Sequence, residues 1–322
     1  MEIRQFRYFV QVIEAKSFTR AAEVLRVAQP ALSHQILKLE AELGQKLLVR
    51  HSRGVEPTAA GERLLACARG VLHTMDRVRQ DLQETPEEPH GVVRLGLPYS
   101  LSNSLAIELL QDCRTLYPKI SLGIAENLSG YLTELLATGR LDLALTYSAD
   151  YFDVVNYTPI LQERLCFIEY DEHPGESHGE ISFAEAAERR LILPSLPHLS
   201  RKLTEDMAKY CGLRLHIVYE VDALPVTMEM VGRNLGATIQ PFLAVQRAMA
   251  SHPVSVKAIT RPEIARRLHL ATNAAGPLSA SAGLVKDLLL THLRRFASKN
   301  MLSELVQIEL EADSSARQSV VD

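Results

Sequence analysis

The stretch from Ser17 to Arg53 constrains the fold most, because two apolar stripes at helical spacing follow one another with a short break between them. Steps of i, i+3, i+4 and i+7 put the side chains of each stripe on one helical face. Pro30 suits the first turn of the second helix, and Gly44 suits the position just past its end. Two short helices of this kind predict a helix-turn-helix. The stripes are Phe18, Ala21, Ala22 and Leu25, then Leu32, Ile36, Leu39 and Leu43.

The flanking residues extend this motif to a small domain over residues 1–58. A helix over residues 2–15 offers an apolar face to the other two. After Gly44, strand-like residues on both sides of a Ser-Arg-Gly turn favour a two-stranded wing, with Arg50 and Arg53 near its tip. These arginines suit contact with phosphates or a minor groove, or are solvated surface residues. Ser17 is the predicted N-cap of the next helix, although Ser17 and Thr19 could also bind a phosphate.

The charge is unevenly distributed along the chain. The net charge of −4 alone argues against a nucleic-acid partner. Residues 1–60 nevertheless contain nine Lys and Arg against six Asp and Glu, so this part carries +3 and the remainder −7 by subtraction from the total. A basic N-terminal unit on an acidic body fits a DNA-binding head attached to another module.

A heptad pattern follows the head. Six apolar residues step by four, three, four, three and four, which is typical of a helix that packs on a partner helix. We therefore predict a dimerising linker helix over residues 59–85, capped by Thr58, and a homodimer formed through residues 58–84. The alternative is an ordinary amphipathic helix that lies on the head. Two prolines and a glycine predict a hinge over residues 86–91. The seam is Leu64, Ala68, Val71, Met75, Val78 and Leu82.

From Val92 onward, strand and helix patterns alternate, which predicts a parallel sheet covered by helices. The chain is thus predicted to be a multi-domain α+β protein whose body has two α/β subdomains with a ligand cleft between them. Subdomain I is predicted over 92–161 and 267–300, subdomain II over 162–266, and a mobile tail over 301–322. Strands are predicted at 92–97, 119–125, 141–146, 161–170, 191–193, 215–221, 237–240 and 267–272. Helices are predicted at 100–116, 129–138, 200–211, 227–233 and 279–298.

Several other classes of protein are disfavoured by the sequence. The four cysteines include no CxxC pair, so buried or incidental thiols are preferred to a metal site, a disulfide framework or a peroxide-sensing pair. No window approaches the roughly 20 apolar residues of a membrane span, and the N-terminus lacks the apolar core of a signal peptide. A cytoplasmic protein without a membrane partner is expected. The sequence contains no GxSxG, P-loop, GxGxxG after a strand or HExxH, so we predict no catalytic residues, no metal and no cofactor.

The head resembles that of LysR-type transcriptional regulators. The matching stretch runs from Phe18 through Ala28-Gln-Pro-Ala-Leu-Ser-His-Gln-Ile to Leu47-Leu-Val-Arg50, and Pro57-Thr-Ala-Ala-Gly61 continues it. The resemblance implies a winged helix-turn-helix head, a linker-helix dimer and an effector module similar to periplasmic binding proteins. Members are commonly tetramers, so a homotetramer is expected. The segments 95–100 and 193–198 are similar to the branch that contains the nitrogen assimilation control protein.

The resemblance also implies which residues read DNA. It assigns the start of the second head helix to the major groove, which corresponds here to Gln29, Pro30, Ser33, His34 and Lys38. A glutamine can pair with adenine, a proline can contact a thymine methyl group, and a serine reaches either kind of base edge. Lys38 suits a phosphate better than a base. His34 occupies a position where many relatives carry arginine, which puts a guanine contact there in question.

For the effector, the resemblance implies residues at strand–helix junctions and at the crossovers between subdomains. Ser100 and Ser129 precede predicted helices, where hydroxyl and free N–H groups could together bind a carboxylate or a similar anion. Simple N-capping is the alternative for each serine. His198 could add a positive charge, or it could be structural. The implied effector-binding residues are Tyr99, Ser100, Ser129, Tyr147, Pro197 and His198.

The leading interpretation is a ligand-responsive bacterial transcription regulator that binds a pseudo-palindromic site on double-stranded DNA. It would activate or repress in response to a small, anionic effector, and contact with RNA polymerase is left open. The alternative is a small-molecule-binding α/β protein, or an enzyme, without a role at DNA. The basic head and the missing catalytic motifs disfavour that alternative.

Overall fold

The computed structural model describes residues 1–51, 54–83, 89–147, 154–173, 179–249, 251–274, 276–298 and 305–308. Arg53, one of the predicted wing residues, lies outside these ranges. So do residues 84–85 of the predicted linker helix, residues 86–88 of the predicted hinge, and residues 301–304 and 309–322 of the predicted tail. None of the described helices is long and apolar enough to cross a membrane.

The N-terminal head is a winged helix-turn-helix, as predicted. Its helices are α1 (Ile3–Ala15), α2 (Phe18–Leu25) and α3 (Gln29–Leu43), and its wing strands β1 (Leu48–His51) and β2 (Gly54–Pro57) pair antiparallel. The Ser17 hydroxyl accepts from the backbone N–H of Arg20 at 3.4 Å, so the capping prediction for Ser17 is confirmed. The buried stripes of all three helices meet in one apolar core with the wing. That core includes Phe9, Val12, Phe18, Leu32, Ile36, Leu39, Leu47 and Val55.

A long helix, α4 (Ala59–Gln83), follows the wing. Thr58 caps it as predicted, because its hydroxyl accepts from the N–H of Gly61 at 3.0 Å. Gly61 itself has to be a glycine, since a Cβ there would lie 2.1 Å from the carbonyl oxygen of Leu47. The first turns of α4 pack on the head: Leu65 is in the head core, and Arg69 donates to Glu14 of α1 at 2.9 Å.

The predicted seam on α4 therefore divides into two parts. Leu64 packs against the head core, and Ala68 is fully buried, because the first three turns of the helix lie against α1. For these two residues the alternative, a helix that lies on the head, describes the contacts better than a partner helix does. Val71 and Val78 are exposed, and the side chain of Leu82 lies outside the described part of the chain.

Subdomain I begins with β3 (Gly91–Pro98), α5 (Tyr99–Leu116), β4 (Ile120–Asn127), α6 (Ser129–Ala137) and β5 (Leu143–Thr146). The three strands are parallel, with β3 between β4 and β5. A 16-residue strand, β6 (Val155–Tyr170), then runs out of the subdomain, and β12 (Ala265–Asn273) returns beside it, antiparallel to both β5 and β6. Helix α11 (Ala280–Ser298) covers this sheet.

Subdomain II lies between these two crossover strands. In chain order it contains β7 (Gly179–Ser182), α7 (Phe183–Glu188), β8 (Leu191–Leu193), α8 (Leu199–Tyr210), β9 (Ile217–Glu220), α9 (Leu224–Gly232), β10 (Thr238–Pro241), α10 (Phe242–Met249) and β11 (Val254–Thr260). The outer half of β6 pairs antiparallel with β10 and β11, while β8 and β9 form a parallel pair.

Three expectations about the body need correction. The sheet is mixed rather than parallel, because β6 and β12 cross between the subdomains in opposite directions. Strands β7 and β11 and helices α7 and α10 were not predicted, and β6 starts at Val155 rather than near residue 161. Residues 305–308 belong to the predicted mobile tail but are ordered: β13 (Val306–Ile308) pairs with β6, because Leu305 and Val306 are apolar and bury against the main core.

Candidate functional site

The outer face of α3 carries the residues predicted to read DNA. Pro30, His34 and Lys38 are exposed, and Gln29 and Ser33 are half-buried at the edge of the same face. The structure thus brings all five together, opposite the stripe that packs into the head core. Lys38 lies at the far end of this face, with its Nζ 3.7 Å from a carboxylate oxygen of Glu2.

Leu37 also belongs to this face and was missed by the sequence reasoning. Its side chain is 48% exposed, on the side of the helix away from the buried stripe. The signal was available in the spacing, because Leu37 lies seven residues after Pro30 and four after Ser33, so that all three share one helical face. An exposed apolar group among polar ones can contact a thymine methyl group.

Arg50 of the wing contacts this outer face of α3 directly. Its Nη2 donates to the Ser33 hydroxyl at 2.9 Å, and its guanidinium carbon lies 3.9 Å from the centroid of the Phe18 ring. The wing and α3 are therefore linked through a side chain that was predicted to contact a phosphate or a minor groove, or to be solvated. Thr19, at the start of α2, is exposed, as a residue that binds DNA must be.

A buried carboxylate joins α3 to the wing from the inner side. Glu40 accepts from the N–H groups of Leu47 and Leu48 at 2.9 and 3.3 Å and from Lys46 Nζ at 2.7 Å. Burial alone would raise the pKa of Glu40, but these hydrogen bonds outweigh it and hold the pKa below its usual range. Glu40 therefore fixes the angle between α3 and the wing as an ionised group.

In the body, the structure brings four of the predicted effector residues to one end of the subdomain I sheet. Tyr99 and Ser100 begin α5 after β3, Ser129 begins α6 after β4, and Tyr147 follows β5. The Ser129 hydroxyl accepts from the N–H of Tyr147 at 3.0 Å. The capping alternative for the two serines is wrong: the N-cap residues are Pro98 and Leu128, and neither helix start has a side-chain cap.

A buried ion pair that the sequence did not reveal completes this site. Arg266 of β12 and Glu163 of β6 stand directly opposite each other on the two crossover strands, with the Arg266 Nη2 and a Glu163 oxygen 2.7 Å apart. The Glu163 side chain is 0% exposed and that of Arg266 7%. Glu163 also accepts from the N–H of Leu243 at the start of α10, so the pair connects both subdomains.

Arg266 links this ion pair to the predicted effector residues. Its Nη2 donates to the Ser100 hydroxyl at 3.0 Å, and its guanidinium carbon lies 3.5 Å from the centroid of the Tyr147 ring. Burial raises the pKa of Tyr147 well above its usual range, against the opposing effect of Arg266, so the phenol stays protonated. The Tyr147 hydroxyl is buried and has no hydrogen-bond partner within the described residues. We call Ser100, Tyr147, Glu163 and Arg266 the cleft cluster.

The last two predicted effector residues lie in subdomain II. Pro197 and His198 precede α8, and His198 Nε2 lies 3.8 Å from a carboxylate oxygen of Asp222. That oxygen accepts from the Ser195 hydroxyl and N–H at 2.7 and 2.8 Å, and these bonds hold the pKa of Asp222 below its usual range. Ser195 thus gives its proton to Asp222 and not to His198, which differs from the serine–histidine contact of a hydrolytic triad.

In the part of the chain that the structure describes, the cysteines and the potential metal ligands form no second kind of site. The four cysteines are free thiols, and burial raises the pKa of Cys113 and Cys166, which keeps these two protonated and unreactive. Among the described residues, no group of three or more His, Cys, Asp or Glu side chains could hold a metal ion.

Comparison with known proteins agrees with these features. Residues 3–62 match the helix-turn-helix domain of bacterial regulatory proteins of the lysR family, and residues 86–294 match the LysR substrate-binding domain. The nitrogen assimilation regulatory protein nac of Klebsiella aerogenes is 30% identical over 307 residues, which cover 95% of this chain and 100% of that protein.

Two solved structures show the same fold over the full length. A full-length OxyR variant from Pseudomonas aeruginosa superposes with a TM-score of 0.71 at 25% identity, over 91% of this chain and 98% of that one. Full-length CbnR in complex with its target DNA gives a TM-score of 0.60 at 21% identity, over 92% and 99%. The predicted family is confirmed by these matches. This chain belongs to the LysR family of ligand-responsive bacterial transcription regulators.

Proposed function

We propose that this regulator binds a pseudo-palindromic promoter site as a dimer, with α3 of each subunit in the major groove, and activates or represses in response to a small effector. The observation that carries the proposal is the outer face of α3, where polar groups and one exposed leucine surround Ser33 and the wing contacts the same face through Arg50. A helix of this kind is anchored by its buried stripe. Its exposed face offers hydrogen-bonding groups and an apolar group to the base edges of the major groove.

The residues of the head divide by the part of DNA that they suit. Gln29 has the donor and acceptor to pair with adenine, Pro30 and Leu37 suit thymine methyl groups, and Ser33 and His34 suit base edges. Lys38 suits a phosphate, because its side chain is exposed and its positive charge attracts any phosphate whatever the base sequence. Ser17, Thr19 and Arg53 are proposed to lie along the DNA backbone or an adjacent minor groove. Arg50 contacts Ser33 on the outer face of α3 instead.

Dimer formation is proposed through the exposed part of α4. Val71, Met75 and Val78 continue the heptad spacing beyond the turns that pack on the head, and Val71 and Val78 are exposed apolar residues. The domain boundaries predicted above are kept as part of this proposal, except that residues 305–308 are assigned to subdomain I. A homotetramer and contact with RNA polymerase belong to the proposal as properties expected of the family.

The effector is proposed to bind between Tyr99, Ser100, Ser129 and Tyr147 on one side and Pro197 and His198 on the other. The backbone N–H groups at the starts of α5 and α6 suit an oxygen-rich, anionic group. Ser129 already accepts one hydrogen bond, which leaves its proton for an acceptor. Arg266 is paired with Glu163, so the N–H and hydroxyl groups have to provide most of the attraction for an anion.

Replacing Ser100 by Trp is expected to abolish the effector response and leave operator affinity unchanged. The indole would fill the proposed effector site at the start of α5, and this site lies in the body, away from the DNA-binding head. A screen of small carboxylates, aromatics and nitrogen metabolites by thermal unfolding of the wild-type protein identifies the effector, since a ligand at 100 times its Kd adds about 2.7 kcal/mol of stability. Operator DNA for the assay is enriched from a randomised library by the wild-type protein.

Ser121→Trp is the matched control, because Ser121 is exposed on β4 of the same subdomain. It should keep the response, and Ser100→Ala should weaken it without changing the fold. A normal response in Ser100→Trp would move the effector site elsewhere. Failure of the wild-type protein to enrich any sequence would favour the alternative, a small-molecule-binding protein without a role at DNA.

A further inference from the structure

Arg50 is held by three elements of the head at once. It belongs to β1, its Nη2 donates to Ser33 of α3 at 2.9 Å, and its guanidinium stacks on the ring of Phe18 at the start of α2, 3.9 Å from the centroid. Phe18 is buried in the head core, so the ring that supports the guanidinium is itself fixed. A cation over an aromatic face is attracted to it, which favours this one orientation of the arginine.

The contact restricts what Ser33 can offer to DNA. A hydroxyl has one proton to donate and two lone pairs, whereas a guanidinium has five N–H donors, no acceptor and a permanent charge. Ser33 therefore has to accept from Arg50, and its own proton has to point elsewhere. The adjacent positive charge disfavours a second donor at the remaining lone pair and strengthens donation to an electron-rich atom.

We propose that Arg50 is a positioning residue that fixes Ser33 as a hydrogen-bond donor to DNA, so that Ser33 selects an acceptor atom. This inference rests on the proposed role of α3 in the major groove. The acceptors there are purine N7, guanine O6 and thymine O4, and the phosphate oxygens share the same chemistry. The amino groups of adenine and cytosine are disfavoured partners. The rival role for Arg50 is a direct ion pair with a phosphate.

The two roles predict different behaviour of the same variants. A phosphate contact needs only the charge, so Arg50→Lys would keep it, and its loss in Arg50→Gln would lower the salt dependence of binding by about one unit of slope. Positioning of Ser33 needs the planar fork that donates and stacks, which lysine does not have. If Arg50 positions Ser33, Arg50→Lys should lose as much DNA affinity as Arg50→Gln, and the salt dependence of binding should be the same as in wild type.

The experiment measures Kd for full-length wild type, Ser33→Ala, Arg50→Gln, Arg50→Lys and the Ser33→Ala/Arg50→Gln double variant over a series of KCl concentrations. The probe is a fluorescein-labelled duplex of the sequence that wild type enriches from a randomised library. We expect each single variant to bind about 3- to 10-fold more weakly, as for one lost hydrogen bond, and the double variant no more weakly than either. Lys38→Gln is the comparison, since Lys38 is the proposed phosphate ligand, and its slope should fall by about one.

Base analogues that each lack one polar atom then locate the acceptor. An analogue that lacks the N7, O6 or O4 atom accepting from Ser33 should weaken DNA binding by wild type and leave DNA binding by Ser33→Ala unchanged. If no base change does so, a single methylphosphonate that acts in this way identifies a phosphate acceptor instead. Either result supports the proposal.

Three results would overturn this inference and leave the proposed role of α3 intact. The first is that the losses of affinity in Ser33→Ala and Arg50→Gln add up in the double variant. The second is a weaker salt dependence of binding in Arg50→Gln that Arg50→Lys restores, and the third is that only base analogues without an amino group weaken binding. If wild type enriches no sequence, the proposed reading face fails and this inference fails with it. Thermal unfolding of each variant serves as the check that the protein remains folded. Arg50 is exposed, so its replacement removes little buried surface.

Discussion

Replacing Arg266 by Met is expected to destabilise the protein by about 3–5 kcal/mol, because it leaves the Glu163 carboxylate buried without its cation. Glu163 is 0% exposed, and within the described residues it also accepts from the N–H of Leu243 at 3.2 Å, which does not neutralise its charge. The loss should appear in urea-induced unfolding as a lower midpoint with a similar slope. Because Glu163 and Arg266 face each other on the two crossover strands, the same variant should loosen the connection between the subdomains.

A second variant separates loss of the pair from loss of packing. Glu163→Leu combined with Arg266→Met removes both charges and should recover much of the stability, since well-packed apolar residues often replace a buried ion pair at little cost. Arg233→Met is the matched control: the Arg233–Glu229 pair is exposed, at 69% and 52%, and its loss should cost less than about 1 kcal/mol. Equal effects of Arg266→Met and Arg233→Met would show that the buried pair contributes no more than a surface one.

Replacing Val71 by Asp is expected to convert the proposed dimer to monomers. Val71 is 39% exposed on α4, beyond the turns that pack on the head, and at the proposed seam the change buries one unpaired charge in each subunit. An unpaired buried charge costs several kcal/mol, so the dimer should weaken by at least about 100-fold. Sedimentation of the full-length protein at micromolar concentration measures this effect.

The control for that change is Glu62→Lys. Glu62 is exposed on the same helix, about half a turn around from Val71, so its charge reversal should leave the assembly intact. If Val71→Asp sediments as wild type does, the exposed part of α4 is not the dimer contact. Because the proposed site is two-fold symmetric, a monomeric variant should also protect only one half-site in a footprint.

The head could be predicted almost completely from the sequence because its determinants are local. Each of its features can be recognised from a few neighbouring residues. These features are the stripes of α2 and α3, the caps at Ser17 and Thr58, and the glycine after α3. The body was harder. Strand β6 serves both subdomains in one 16-residue run, and its outer half pairs with residues of β10 and β11 that lie 70 to 92 residues away along the chain. No local pattern specifies such pairing.

The sites show the same division. The residues proposed to read DNA on α3 were predicted from helical spacing and family resemblance. That reasoning passed over Leu37, because a leucine is assigned to a core by default. In the cleft cluster, Ser100 and Tyr147 were predicted, but Glu163 and Arg266 were not. They are 103 residues apart, and each is an ordinary charged residue in the sequence. Only their register on the crossover strands reveals them as a pair.

The central claim, that the outer face of α3 reads the operator, is tested most directly by comparing Gln29→Ala with Gln45→Ala. Both glutamines belong to the head, but Gln29 begins α3 on the reading face and Gln45 is exposed just past its end. Binding of full-length protein to its enriched operator should weaken by about 5- to 100-fold for Gln29→Ala, the range of a base-specific pair, and stay unchanged for Gln45→Ala. Wild-type affinity and footprint in Gln29→Ala would contradict the account.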